Sequence, residues 1–355
     1  MKLKLGLVTT VVVSSRDAAR EAFTRYDRHL AARPVPDAAN AVGNSGRSMI
    51  WLPSSDPLWK TLRGIVASHI FSPRGLAAAR GVRERKVRDM VGYFRCSAGD
   101  EVDVGEAVYG GVLNLVSSAF FSVDVVEVGG ESASELREVV EDIIAALGKP
   151  NVSDIFPFLR PLDLQGWRRW AGARYHKVTV ILFDVFVAGT DTMAIMVEWA
   201  MAELLRHPRA MAKARAEMED VLGGKVDTDT LEEPDAASLP YLQAVVKEIG
   251  GFDVPRGATV IFNMWAIMRD PAAWERPDEF VPERFLDKAV EFQGKDYEFI
   301  PFGSGRRLCH GLPMAERVVP FVVASLLQAF EWWLPDGVAV DELAVPLRVV
   351  PVVVT

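Results

Sequence analysis

Near its C-terminal end the chain reads FGSGRRLCHG. This places Phe302, Gly305, Arg307, Cys309 and Gly311 at the spacing F-x-x-G-x-R-x-C-x-G, directly before an apolar run of helical periodicity. A cysteine just ahead of a helix has orphan N–H groups and the positive end of the helix dipole within reach, and both stabilise a thiolate. Such a thiolate is a soft, anionic ligand for a transition metal. The only other cysteine is Cys96, so thiols alone assemble neither a disulfide framework nor a zinc cluster. Glycines at 305 and 311 permit a turn and a close approach that a Cβ would block. Arg307 offers a planar guanidinium to a carboxylate, and Phe302 can pack on the sulfur side. The ordinary alternative is a buried free cysteine beside a flexible glycine-rich loop, the commoner fate of a lone cysteine. Five residue types at fixed intervals weigh against it.

Three further groupings could belong to the same site. The segment FVAGTDT, residues 186–192, lies inside a long apolar helix. Gly189 would let that helix open locally, and the Thr192 hydroxyl could bond back to a carbonyl and bend the ladder. Taken alone, Asp191 and Thr192 are equally a solvent-facing acid and a β-branched helix residue. Trp59 and Arg63 are four residues apart and share one helix face, which also describes an amphipathic surface pair. The third grouping is Pro282-Glu283-Arg284-Phe285, preceded by Trp265, Arg269-Asp270-Pro271 and Trp274.

Together these segments strongly resemble the cytochrome P450 superfamily, over about Lys4 to the C-terminus. The wording AGTDT, PERF and FIPFGSGRRLC is most similar to plant microsomal hydroxylases of small lipophilic natural products such as monoterpenols. The resemblance implies a mainly α fold with a small β portion, forming one domain over residues 1–355. It implies heme b with Cys309 as the axial ligand of the iron, the Phe302, Gly305 and Gly311 loop around the sulfur, and Trp59, Arg63 and Arg307 along the heme edge and its propionates. Asp191 and Thr192 take the place of the acid and alcohol pair that relays protons. The implied reaction inserts one oxygen atom from O2 into a small lipophilic substrate, terpenoid-like or phenolic. Electrons come from NADPH through NADPH-cytochrome P450 reductase. His310 stands where plant members often have proline.

The chain also departs from the family pattern. Family members carry Glu-x-x-Arg on the helix before the Pro-Glu-Arg-Phe segment, forming a buried network with its arginine. Here Glu248 is present, but Gly251 stands three residues later. Chain is missing after Glu248, and again near Tyr175 to Val178, where part of the helices roofing the pocket is expected. The N-terminal anchor and its proline hinge are absent too, so the family's place on the endoplasmic reticulum surface and a cytoplasmic one both stay open. A second functional reading follows: a non-catalytic, decayed heme-binding relative. A heme-thiolate isomerase or dehydratase is a third, and the Asp191-Thr192 pair counts against it.

The elements that must position these residues follow from composition and pattern. Half of the 355 residues are hydrophobic, which is ample for a core, while a net charge of −8 and a pI near 5.3 exclude a broad basic face for nucleic acid. Two cysteines fit a reducing compartment. Met1 to Val13 reads as a β-branched strand, and its apolar stretches fall far short of the roughly eighteen residues of a membrane span. Helices are predicted over 16–33 behind Ser15, over 56–94 with a break at Ser72-Pro73, and over 106–147 with glycine interruptions. Residues 151–164 read as a loop over the core. Further helices cover about 178–205, the stretch up to Gly223-Gly224, 241–249 and 312–330. FDVPRGATVIFN, 252–263, reads as a hairpin, and a strand-like tail ends the chain.

Overall fold

Ser15 opens the first helix as its type predicts, accepting a hydrogen bond from the Ala18 amide at 3.4 Å. The computed structural model describes residues 1–40, 45–175, 180–222, 231–247, 259–287, 290–335, 338 and 347–354. Strands β1 (Lys2–Leu5) and β2 (Val8–Val13) precede α1 (Arg16–Arg25) and the one-turn α2 (Asp27–Leu30). Asp56 caps α3 (Pro57–Ile65), which runs through a π-helical turn, Val66–Ile70. The break falls at Ser72-Pro73 as expected, with Ser72 capping α4 (Pro73–Ala78) ahead of α5 (Arg80–Cys96). After β3 (Val102–Asp103) come α6 (Val104–Phe121) and α7 (Glu131–Gly148), then the short α8 (Val152–Ile155), a 3-10 turn at Pro157–Leu162 and α9 (Trp167–Tyr175). The long α10 (Val180–Arg206) is followed by α11 (Pro208–Leu222), α12 (Glu233–Ala237) and α13 (Pro240–Lys247). The last part holds β4 (Thr259–Phe262), α14 (Met264–Met268), α15 (Arg284–Asp287), α16 (Leu312–Ala329), β5 (Phe330–Trp333) and β6 (Arg348–Val353).

The strands form two small sheets, ordered β1-β2-β4 and β3-β6-β5. One expectation changes here. The stretch expected as one N-terminal strand is an antiparallel hairpin, because Gly6 turns the chain at φ +59° and sits where a Cβ would collide with Ile155. The hairpin expected over 252–263 lies mostly outside the described residues. Its described part, β4, pairs in parallel with β2, with Val13 opposite Phe262. Glu248 to Gly251 also lie outside the described residues.

The main core joins α5, α6, α10, α11, α13 and α16 with β5 and β6. Helices α6 and α16 are apolar nearly all round and long enough to cross a membrane, yet 72% of each is buried inside the protein, so both serve here as core helices. A buried ion pair fastens α5 to α12, with Arg83 donating from Nε to Glu233 Oε2 and from Nη2 to Glu233 Oε1 at 2.7 Å. Helix α10 packs on both α6 and α16, so the Asp191-Thr192 segment and the helix that begins at the cysteine loop share one core.

Candidate functional site

The cysteine loop is a single 3-10 turn, Gly305–Arg307, closed by two backbone bonds: Leu308 N–H to Gly305 O at 3.1 Å and Cys309 N–H to Phe302 O at 3.0 Å. Gly303 and Gly305 both have positive φ, +74° and +63°, so the turn needs residues without a Cβ penalty. Past the turn, the Cys309 sulfur accepts from the amides of Gly311 and Leu312, the first N–H groups of α16. Gly311 packs against that sulfur. Cys309 is exposed and yet so surrounded by protein that desolvation is the largest influence on its thiol, pushing the pKa up, while the two amides, Arg63 and Arg33 pull it down. Phe302 packs its ring edge-on to Phe292 at 5.3 Å rather than alone beside the sulfur.

Near the sulfur the arginines gather on Trp59. Arg63, its partner by helix spacing, and Arg307 of the loop each stand 5.0 Å from its ring. Arg63 donates twice to Leu308 O, at 3.1 and 3.2 Å, tying α3 directly to the residue before the cysteine. Arg307 was expected to offer itself to a carboxylate. Instead its fork holds the carbonyls of Ala31 (2.7 Å), Met49 (3.1 Å), Ile50 (3.4 Å) and Leu52, clamping the segment after α2. Desolvation and neighbouring cations lower the guanidinium pKa of Arg307 to about 10, and Arg63 also falls to about 10, chiefly by desolvation. Arg33 is lowered as well, by burial, with the Cys309 sulfur opposing. After desolvation, what acts on these three cations is one another and the sulfur. The buried Trp59 Nε1 has no hydrogen-bond partner.

This arrangement fits a heme. It offers an exposed sulfur ligand with two amide donors, three crowded positive charges that would balance propionates, and an orphaned indole N–H beside them. The described residues contain no group of three or more His, Cys, Asp or Glu that could hold a bare metal ion.

On α10, the Thr192 hydroxyl donates to Ala188 O at 2.6 Å, the back-bond its position suggested. The helix nevertheless stays α-helical through Gly189, so the expected local opening is not seen. Asp191 is buried, and desolvation, then Glu141, push its carboxyl up against the pull of Arg137. It shares that environment with Tyr109, whose pKa is raised by burial and by Asp191. Arg137 in turn pairs with Glu141 at 2.7 Å and lies 3.7 Å from the buried Glu198. The structure thus brings Trp59, Arg63, Arg307 and Cys309 together and sets Asp191 and Thr192 on α10, which packs against α16, the helix that follows the cysteine loop. Sequence reasoning passed over Arg33 and Asp27, which lie in a charge-rich stretch without a motif.

Arg284 of the Pro-Glu-Arg-Phe segment donates to the carbonyls of Val281, Glu275, Arg276 and Glu279. Its neighbour Glu283 pairs with Lys213 on α11 and accepts from the Tyr241 hydroxyl at 3.4 Å.

The chain belongs to the cytochrome P450 family, whose model matches residues 1–181, 174–250 and 248–346. It is 57% identical over 432 residues to cytochrome P450 76M5 of Oryza sativa subsp. japonica, an alignment covering 100% of this chain and 85% of that protein. Oryzalexin D synthase of the same rice is 53% identical over 433 residues, again across 100% of this chain and 86% of that one. Among solved structures, a zebra fish cytochrome P450 determined with progesterone superposes at a TM-score of 0.73, with 21% identity over 99% of this chain and 96% of its own. An alignment of 432 residues over a 355-residue chain leaves stretches of the relative unmatched. The family match breaks at 174–181 and 248–250, the two places where the sequence alone showed chain to be missing.

Proposed function

We propose that this chain is a heme-thiolate monooxygenase that inserts one oxygen atom of O2 into a small lipophilic substrate of terpenoid type, with electrons passed from NADPH by a cytochrome P450 reductase. The observation that carries the proposal is the exposed Cys309 sulfur held by the Gly311 and Leu312 amides within the field of Arg33 and Arg63, with Arg307 next to them. Bound there, heme would supply the activation of O2. Cys309 would ligate the iron, and the two amides would temper the charge on the sulfur. Arg33 and Trp59 Nε1 would hold the propionates, and Arg63 and Arg307, whose donors engage backbone carbonyls, would add positive charge beside them. Asp191, its carboxyl raised by burial, would hold a proton, and the neighbouring Thr192 hydroxyl would pass protons on. The substrate class rests on relatives that include an oryzalexin synthase and an ent-cassadiene hydroxylase.

A place on the endoplasmic reticulum surface is part of the proposal. Leu3, Leu5 and Leu7 of the first hairpin are exposed, as are Phe158 and Leu162, and the hairpin is tied to the segment before them by the Leu7 N–H to Ile155 O bond at 3.2 Å.

The broken family match favours a second reading, a heme-binding relative without turnover. Incubating the chain with reductase, NADPH, a panel of diterpene hydrocarbons and isotopically labelled O2 separates the two. Labelled hydroxylated product is the expected result. Bound heme with no labelled product from any of them would leave the second reading.

A further inference from the structure

We propose that Asp27 is the positioning residue that fixes the backbone path of the cysteine loop, an inference that rests on the reading of that loop as the heme ligand site. Asp27 opens the single turn of α2 and lies far from the loop in sequence, yet both its oxygens are committed to the loop. Oδ1 accepts the Arg306 amide at 2.9 Å, and Oδ2 pairs with Arg306 Nε at 3.2 Å. The other end of α2 is fastened to the same turn, because Ala31 O accepts from Arg307 Nε at 2.7 Å. One helical turn is therefore clipped at both ends to two successive loop residues, directly ahead of Leu308 and Cys309.

The geometry also explains a glycine that the loop pattern alone does not. A Cβ on Gly305 would collide with Asp27 Oδ1, so the carboxylate occupies the space a side chain would need. The positive φ of +63° and the carboxylate impose the same residue for two independent reasons. The amide of Arg306 is one of the few loop donors that the turn itself leaves unused, and a carboxylate acceptor makes that bond charge-assisted. Without it, the turn is held by the Arg63 and Arg307 contacts to carbonyls and by its two internal backbone bonds. The sulfur would then be free to shift relative to the Gly311 and Leu312 amides.

The test compares Asp27→Ala, which removes both bonds, with Asp27→Asn, which keeps an oxygen acceptor for the Arg306 amide and loses the charge. Amide hydrogen exchange on the heme-free full chain reads the loop directly. In Asp27→Ala the amides of residues 305–309 are expected to exchange about tenfold faster or more, as for loss of one charge-assisted bond. In Asp27→Asn the rate should stay within about threefold of the parent, with unchanged far-ultraviolet circular dichroism in both. Loaded with heme, Asp27→Ala should convert part of its reduced carbon monoxide complex from the thiolate to the protonated-thiol Soret position, and Asp27→Asn should restore the thiolate form. Equal loop exchange in parent and Asp27→Ala would overturn the proposal, and so would equally fast exchange in both variants. A parent that binds heme without any thiolate band would instead defeat the ligand reading, and the exchange comparison would still decide the role of Asp27.

Discussion

Thr192 is held by its own helix and touches none of the groups that gather around Cys309, so its removal should separate proton handling from heme binding. In Thr192→Ala, heme content is expected to be unchanged while NADPH consumption continues, with peroxide replacing hydroxylated product. Product formed per NADPH is the quantity to measure, and an unchanged ratio would reduce Thr192 to a helix residue. Much of the site was legible at this scale, because Cys309, Arg63, Trp59 and Thr192 act through contacts set by short spacings: i to i+4 on a helix, or a few residues along a loop. Asp27, Arg33 and the carbonyl clamp of Arg307 were not. Their partners lie hundreds of residues away, and an aspartate in a charged stretch carries no local sign of the amide it will meet.

The elements were legible wherever a cap or breaker stood at their ends, as at Ser15, Asp56 and Ser72-Pro73. The parallel pairing of β2 with β4 was not, since register between distant strands depends on how the helices between them pack. One consequence of that packing is the burial of Glu198 on α10. Its Oε1 accepts the Leu347 amide at 2.8 Å and so anchors the approach to β6, while its Oε2 lies buried without a hydrogen-bond partner, 3.7 Å from Arg137. Desolvation raises its carboxyl above the ordinary value of 4.5, with the Leu347 amide and Arg137 opposing and Asp103 and Glu141 adding to the rise. A raised carboxyl binds its proton more tightly in the folded chain. The stability it contributes is therefore complete below the unfolded value and is lost as pH rises through the folded one. Urea midpoints of the parent are expected to fall as pH rises above the ordinary carboxylate value, and Glu198→Gln should flatten that decline. Parallel pH profiles for parent and variant would show that Glu198 is not the group responsible.

At the scale of the whole molecule the chain carries the cysteine loop and the Asp191-Thr192 segment of α10 within a family match that breaks twice. Both breaks were visible in the sequence as elements that run together too soon, after Glu248 and near Tyr175. At the first, Gly251 stands where the family resemblance implies an arginine, and loss of one partner from a buried charge network of that kind costs about 3–5 kcal/mol, near the low end of a domain's total stability. Restoring a family-like segment there, with arginine at that position, is expected to raise heme per chain severalfold by absorbance after purification. No gain would mean the break is compensated elsewhere. The central claim is that Cys309 supplies the thiolate of a heme site, and the reduced carbon monoxide difference spectrum of the unmodified chain tests it most directly. Whatever fraction of the chain holds heme should show the Soret band of a thiolate-ligated iron, and Cys309→Ala should lose it entirely. Bound heme whose band sits at the position of nitrogen ligation, unchanged in Cys309→Ala, would contradict the account.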